Sequence, residues 1–165
     1  FVAERAEFGE QREALFAVAA GLVVFLLWVN LDAPWMTIGT PSAPFNALGA
    51  AGVAEVPRIA IRFIGAALLV PLMEELFWRS FLMRWLEQPV FEGVNPRRVG
   101  VRAVLLSTFV FTLAHTLWLA AAIAGFVYAL LYIKTGKLWV AVIAHAATNG
   151  ALGAWVVMTG SWQFW

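Results

Sequence analysis

The sequence lacks cysteine altogether and has a single aspartate, Asp32, and both shortages exclude particular chemistries. Without a thiol there is no cysteine nucleophile, no disulfide and no thiolate metal ligand. One aspartate excludes a protease that works with a pair of aspartates. Neither a Gly-x-Ser-Gly sequence nor a His-Glu-x-x-His zinc motif occurs. Ser107 lies roughly 12 Å of helical rise from His115, too far for a serine–histidine hydrogen bond.

Charged residues are also scarce, since they make up 13% of the 165 residues whereas hydrophobic residues make up 62%. That charged fraction is about half the usual one for a soluble domain. The hydrophobic residues form five runs, Ala14–Leu31, Ile59–Trp85, Val101–Leu117, Leu119–Ile133 and Leu138–Met158. A helix of about 20 residues crosses a bilayer, and the Leu119–Ile133 run is the shortest at about 22 Å. We therefore predict one all-α domain over residues 1–165, a polytopic membrane helix bundle with about five transmembrane helices.

The distribution of positive charge predicts the orientation of this bundle. Basic residues precede the first run, surround the connection between the second and third, and flank the turn between the fourth and fifth: Arg5, Arg12, Arg84, Arg97, Arg98, Arg102, Lys134 and Lys137. The loop from Asp32 to Glu55 has none, and we interpret Arg58 and Arg62 as side chains that snorkel to the interface. Positive charge stays on the cytoplasmic side, so we expect the N-terminus inside. The net charge of +1 gives no indication of nucleic-acid binding.

Ionisable residues interrupt the apolar runs at a few positions, and such residues are costly at membrane depth. Glu75 and Arg79 are four residues apart on one predicted helix, where an ion pair can form. Glu74 points about 100° away around the helix and lacks that partner, which makes it a candidate general base. Pro71, one turn earlier, removes a backbone hydrogen bond and predicts a kink that admits water.

The two histidines each have a partner at the same helical spacing. Phe111 precedes His115 by four residues, and Asn149 follows His145 by four. An aromatic ring can thus form a wall beside one imidazole, and two hydrogen-bond donors can share a face of the last helix. We expect Glu74, His115, His145 and Asn149 to converge on one polar cavity that opens toward the cytoplasm.

Three motifs in order, Glu74-Glu75-x-x-x-Arg79, Phe111-x-x-x-His115 and His145-x-x-x-Asn149, resemble the CAAX protease and bacteriocin-processing family, also called the ABI family. Its members are glutamate-dependent intramembrane endopeptidases related to the type II CAAX prenyl protease. The similarity covers Ile59 to Trp155, within a motif core at 56–158. From Val56 to Trp165 the chain resembles more narrowly the CAAX-protease-related proteins that accompany exosortase and PEP-CTERM sorting systems in Gram-negative bacteria. The family has more than five helices, so we expect further helices before residue 1.

The resemblance implies that Glu74 and His115 activate a water molecule, that His145 and Asn149 stabilise the oxyanion, and that Glu75 and Arg79 support the site. It implies a membrane protein or peptide substrate, a bacterial inner-membrane location and an exosortase-system partner, and no nucleic acid. Zinc bound by Glu74, His115 and His145 stays open as an alternative, ranked behind a metal-free mechanism.

Two other function classes compete with the protease. A proton-coupled transporter would also keep Glu and His at midplane, but it would normally have internal repeats, which this chain lacks. A non-catalytic scaffold or immunity protein on the same fold is left open. In that case the Glu75–Arg79 pair is structural only. We interpret Tyr128 as a packing residue and Gly125, between Ala121 and Ala129, as part of a small-residue stripe for close helix contact.

Overall fold

The computed structural model describes residues 2–39 and 55–165. Within these ranges the chain forms five helices and no strand, which confirms the all-α prediction. The helices are α1 (Val2–Trp28), α2 (Val56–Glu87), α3 (Val101–Leu113), α4 (Trp118–Thr135) and α5 (Leu138–Thr159). Short 3₁₀ turns lie at Pro34–Met36, Phe91–Gly93, Pro96–Arg98 and Trp162–Phe164.

Four of the five helices are long and apolar enough to cross a membrane, namely α1, α2, α4 and α5. The exception is α3, whose 13 residues span about 20 Å. The prediction of a helical run from Val101 to Leu117 is therefore wrong at its end, and the shortest helix is α3 rather than α4. Beyond Leu113 the chain turns, because the His115 amide donates to the Thr112 carbonyl at 3.1 Å and does not continue the helical ladder.

Helix α2 is continuous but not uniformly α-helical. Two π-helical stretches, Gly65–Leu69 and Leu76–Met83, lie on either side of the α-helical segment Val70–Glu75. Pro71 lies just after the first stretch and has no N–H to donate to the preceding turn. The irregularity predicted at Pro71 is thus a wider helical turn on its N-terminal side. Wider turns of this kind are frequent at functional sites.

Close contact between α1 and α5 depends on small residues. A Cβ atom on Gly21 would overlap the Ala144 carbonyl oxygen and lie 2.9 Å from the Ala147 Cβ. The Thr148 hydroxyl donates across the same contact to the Gly21 carbonyl at 2.8 Å. In a membrane, where lipid tails are as apolar as leucine, close backbone approach and interhelical hydrogen bonds are what hold helices together.

The pair α3 and α4 packs in the same way. Ala121, Gly125 and Ala129 are all buried, which confirms the small-residue stripe. A Cβ atom on Gly125 would lie 2.9 Å from the Phe111 ring of α3, so this approach needs glycine. Large apolar side chains instead cover the outside of the bundle, where Ile61 is 74% and Met73 68% exposed, as expected of a lipid-facing surface.

The two ends of the bundle differ in charge. At one end the Arg97 guanidinium donates to the Thr135 carbonyl at 2.7 Å, joining the α2–α3 connection to the α4–α5 turn. Lys137 forms an ion pair at 2.8 Å with Glu13, in the first half of α1. We call this the basic end, and it carries Arg84, Arg97, Arg98, Arg102, Lys134 and Lys137. The opposite end holds the last residue of α1, the start of α2, the α3–α4 turn and the residues after α5.

Candidate active site

The predicted ion pair between Glu75 and Arg79 forms in the core of the bundle. The Arg79 Nε lies 3.2 Å from the Glu75 Oε2, and the two side chains are 2% and 0% exposed. A second guanidinium nitrogen donates to the Gly125 carbonyl of α4 at 3.0 Å. The guanidinium also lies over the rings of Phe111 and Tyr128, 4.7 and 5.7 Å from their centroids. Arg79 thus ties α2 to α3 and α4 as well as neutralising Glu75.

Glu75 has a second partner that the sequence does not reveal. Its Oε1 lies 2.9 Å from the Nδ1 of His145 on α5. Because a carboxylate only accepts hydrogen bonds, Nδ1 carries the proton, and the orientation of the imidazole is set by Glu75. The Tyr128 ring stacks on the His145 imidazole, with ring centroids 4.8 Å apart and an interplanar angle of 18°. His145 is therefore held by one acceptor and one aromatic face.

His115 lies just past the end of α3, in the turn that closes the helix. Its Nδ1 is 2.8 Å from the Phe111 carbonyl oxygen, which can only accept, so Nδ1 carries the proton there as well. In the neutral ring the Nε2 lone pair is then available for water or substrate. The Phe111 ring lies 4.4 Å from the imidazole as predicted, and Trp28 of α1 contacts it edge-on at 5.8 Å.

Glu74 has surroundings unlike those of its neighbour. It lines a cavity, and its Oε2 is buried without a hydrogen-bond partner among the described residues. A buried carboxylate oxygen without a partner is unfavourable unless water or a ligand bonds to it. This oxygen therefore marks a position at which the cavity is suited to hold a hydrogen-bond donor.

Asn149 replaces a backbone hydrogen bond that Pro71 cannot make. Its amide nitrogen donates to the Ala66 carbonyl of α2 at 2.9 Å. In the π-helical register, where the Val70 amide donates to the Gly65 carbonyl, the next amide would donate to Ala66. That next residue is Pro71, which has no N–H. Asn149 satisfies the freed carbonyl, and its amide keeps a second N–H.

The cavity into which these groups project has a volume of about 340 Å³. The structure brings Glu74, His115, His145 and Asn149 together on its lining, whereas Glu75 and Arg79 lie in the core behind it. Sequence reasoning did not assign to the site several further lining residues, which are Trp28, Arg62, Tyr128, Thr148, Phe164 and Trp165. The sequence did contain one indication that Arg62 lines the site. Arg62, Ala66 and Val70 precede Glu74 at intervals of four residues, so all four share one face of α2.

The cavity lies at the end opposite the basic end, contrary to expectation. Trp28 is the last residue of α1, His115 follows the end of α3, and Trp165 follows α5. The prediction that the basic connections are cytoplasmic and the prediction that the cavity opens toward the cytoplasm are therefore incompatible with each other. In the sequence His115 already lies two residues from that end of the run Val101–Leu117. The difference comes from Trp28 and Trp165, which line the cavity at the same end and belong to none of the motifs.

The alternative of a zinc site at Glu74, His115 and His145 does not fit this arrangement. In the described part of the chain, no three His, Asp or Glu side chains lie close enough together to hold an ion. We therefore assign no step to a metal.

Comparison with known proteins identifies one related family. A family model described as type II CAAX prenyl endopeptidase Rce1-like matches residues 56–151. The matched segment runs from the start of α2 into α5, and includes all seven residues of the three motifs. No curated protein and no solved structure matched.

Proposed function

Because the chain belongs to the Rce1-like family of type II CAAX prenyl endopeptidases, we propose that it is a glutamate-dependent intramembrane endopeptidase. The observation that carries the proposal is the convergence of Glu74, His115, His145 and Asn149 on one cavity of an otherwise apolar bundle. Ionisable groups at membrane depth are kept mainly where they line a cavity and act on a substrate.

In the proposed reaction Glu74 accepts a proton from a water molecule. The Nε2 of His115 accepts the second hydrogen bond of that water, since its Nδ1–H is used by Phe111. The hydroxyl oxygen bonds to the peptide carbonyl carbon, the carbon–nitrogen bond breaks, and the proton passes from Glu74 to the leaving amine. The products are a carboxylic acid and an amine, as peptide hydrolysis requires.

The oxyanion of the tetrahedral intermediate would face α5. Asn149 contributes the amide N–H that Ala66 does not use. When His145 carries a proton on both ring nitrogens, Nε2–H can donate to the oxyanion while Nδ1–H stays bonded to the Glu75 carboxylate. Each donor of this kind is worth about 3–4 kcal/mol of transition-state stabilisation. Arg79 acts indirectly by keeping Glu75 ionised and in position.

One observation favours the alternative of a non-catalytic scaffold or immunity protein. His145 and Asn149 both have partners inside the protein, Glu75 and the Ala66 carbonyl, which would give them structural roles without any substrate. The two functions differ on Glu74. In a scaffold the buried carboxylate oxygen of Glu74 would have no function, whereas in a protease it would act as the base.

The experiment that tests the proposal is the substitution Glu74→Gln. A pooled library of membrane-anchored reporter peptides with random linkers is co-expressed with the protein, and cleavage is read by sequencing the released tags. We expect Glu74→Gln to lose cleavage completely at an unchanged folded yield, while Glu92→Gln, exposed at the basic end, keeps full activity. Cleavage that survives in Glu74→Gln would refute the assigned base. A wild-type protein that cleaves no linker would favour the scaffold.

We further propose a bacterial inner membrane as the location and an exosortase-system protein as partner. Support for these narrower assignments comes only from the resemblance of the region from Val56 to Trp165. Pull-down of the detergent-solubilised protein, followed by identification of bound membrane proteins, tests the partner. Recovery of no sorting-system protein would count against it.

A further inference from the structure

We propose that the active-site cavity faces the non-cytoplasmic side of the membrane, and that the substrates are membrane-anchored peptide segments presented from that side. The second half of this proposal rests on the proposed protease function. The first half does not, since it concerns only how the bundle is inserted.

The first observation is that hydrogen bonds and an ion pair hold basic side chains together at the basic end of the bundle. Arg97 of the α2–α3 connection reaches Thr135 at the end of α4, and Lys137 reaches Glu13 of α1. Arg84 donates to the carbonyls of Glu92 and Val94 at 2.8 and 3.0 Å. Two separated parts of the chain, the α2–α3 connection and the α4–α5 turn, thus bring their cations to the same end of the bundle.

The second observation is the position of the cavity. Its lining includes Trp28, His115 and Trp165, each of which lies at or just beyond the end of a helix, away from the basic end. A second cavity of about 330 Å³ shares these three residues and extends to Asp32 and Thr37 in the segment that follows α1. The site is therefore continuous with the surface at the end opposite the basic connections.

The third observation explains the two arginines at the cavity end. Arg58 forms an ion pair with Glu55 at 3.1 Å. Arg62 lies within the cavity lining, 5.8 Å from the centroid of the Trp165 ring. The rule for membrane orientation counts Lys and Arg near helix ends, and these two arginines are outnumbered by the six Lys and Arg residues of the basic end. The rule that Lys and Arg remain in the cytoplasm then places the basic end inside and the cavity outside.

Two features of the cavity indicate what kind of substrate it can bind. Much of the lining is apolar and aromatic, with Trp28, Phe111 and Trp165 among its walls, which suits an extended apolar segment. Its lining extends to the helix ends on the side away from the basic connections. A peptide bond close to the non-cytoplasmic end of a membrane anchor can reach Glu74 from there.

The absence of cysteine allows a direct test of orientation. Single-cysteine variants Gln163→Cys, exposed at the cavity end, and Gly93→Cys, in open space at the basic end, are treated with a membrane-impermeant maleimide in sealed spheroplasts. We expect Gln163→Cys to be labelled before permeabilisation and Gly93→Cys only after it. Failure of Gln163→Cys to label in sealed spheroplasts, or equal labelling of both variants, overturns the proposal.

A second experiment separates the orientation from the chemistry. Each linker of the reporter library is placed in matched anchors, on the cytoplasmic or the non-cytoplasmic side. We expect release only from the non-cytoplasmic set, at least 10-fold above the cytoplasmic set, and lost in Glu74→Gln. Release from the cytoplasmic set alone overturns the proposal and leaves the protease standing. Release from neither, with outside labelling of Gln163→Cys, upholds the orientation and refutes the protease.

Discussion

Glu74 and Glu75 are adjacent in the sequence, but their side chains have opposite surroundings. Neighbouring residues of a helix point about 100° apart, so one faces the core and the other the cavity. Glu75 is held by Arg79 and His145, while Glu74 has a buried oxygen without a partner among the described residues. Position alone thus gives two chemically identical side chains different surroundings, which is the basis of the proposed division into a base and a supporting residue.

Substitution of Glu75 by Gln should destabilise the protein. The change removes the charge that compensates Arg79, and an unpaired buried charge typically costs about 3–5 kcal/mol. It also weakens the hold on His145. We expect the melting temperature in detergent to fall by several degrees for Glu75→Gln and to stay near that of the wild type for Glu74→Gln, measured on purified protein. Equal melting temperatures would refute the division of roles.

The sequence predicted the contacts that lie within one helix and missed those between helices. Glu75 with Arg79 and Phe111 with His115 follow from a spacing of four residues. The bond from Glu75 to His145 depends on how α2 and α5 are rotated against each other, which no local pattern encodes. The same holds for Tyr128, which we had interpreted as packing and which stacks on His145.

At the scale of the element, α2 and α5 are linked by a side-chain hydrogen bond to a carbonyl that has no backbone donor in α2. Pro71 leaves the Ala66 carbonyl free, and the Asn149 amide satisfies it from the neighbouring helix. Asn149 thus has two proposed roles, one in the fold and one at the oxyanion. A substitution at Asn149 alone affects both roles and cannot tell them apart.

A pair of substitutions separates these roles. Asn149→Ala should lower stability by about 1–3 kcal/mol because a buried carbonyl loses its donor, and should lower the cleavage rate roughly 100-fold or more. Adding Pro71→Ala restores a backbone N–H to α2. We expect the double variant to regain much of the melting temperature but none of the activity, in thermal denaturation and reporter cleavage. Activity that returns with stability would remove Asn149 from the oxyanion site.

The helix ends show where prediction from pattern fails. The segment Leu113-Ala114-His115-Thr116-Leu117 contains neither Gly nor Pro and remains largely apolar, so nothing local signals that α3 ends at Leu113. By contrast, α4 ends at Thr135, within two residues of the end of the predicted run, because Gly136 adopts a positive φ of 69° at its C-terminal cap. The early end of α3 also places His115 in a turn rather than within the helix.

At the scale of the whole molecule, the site needs a helix that lies outside the matched family segment. Residues 56–151 contain all three motifs, yet α1 supplies Trp28 against His115 and packs along α5 through Gly21. The motif residues could be predicted from three short patterns, but this wall of the cavity could not. It depends on the close approach of two helices separated by more than a hundred residues.

Enlarging Gly21 should therefore disturb the site from a distance. In Gly21→Leu the new side chain overlaps the Ala144 carbonyl and must push α1 away from α5, and overpacking of this kind costs about 1–3 kcal/mol or more. It also breaks the bond from Thr148 to the Gly21 carbonyl and withdraws Trp28 from His115. We expect a lower melting temperature and reduced cleavage. The matched control Val23→Leu, two residues away and 56% exposed toward lipid, should change neither. A Gly21→Leu protein with wild-type stability and activity would mean that α1 is not part of the site.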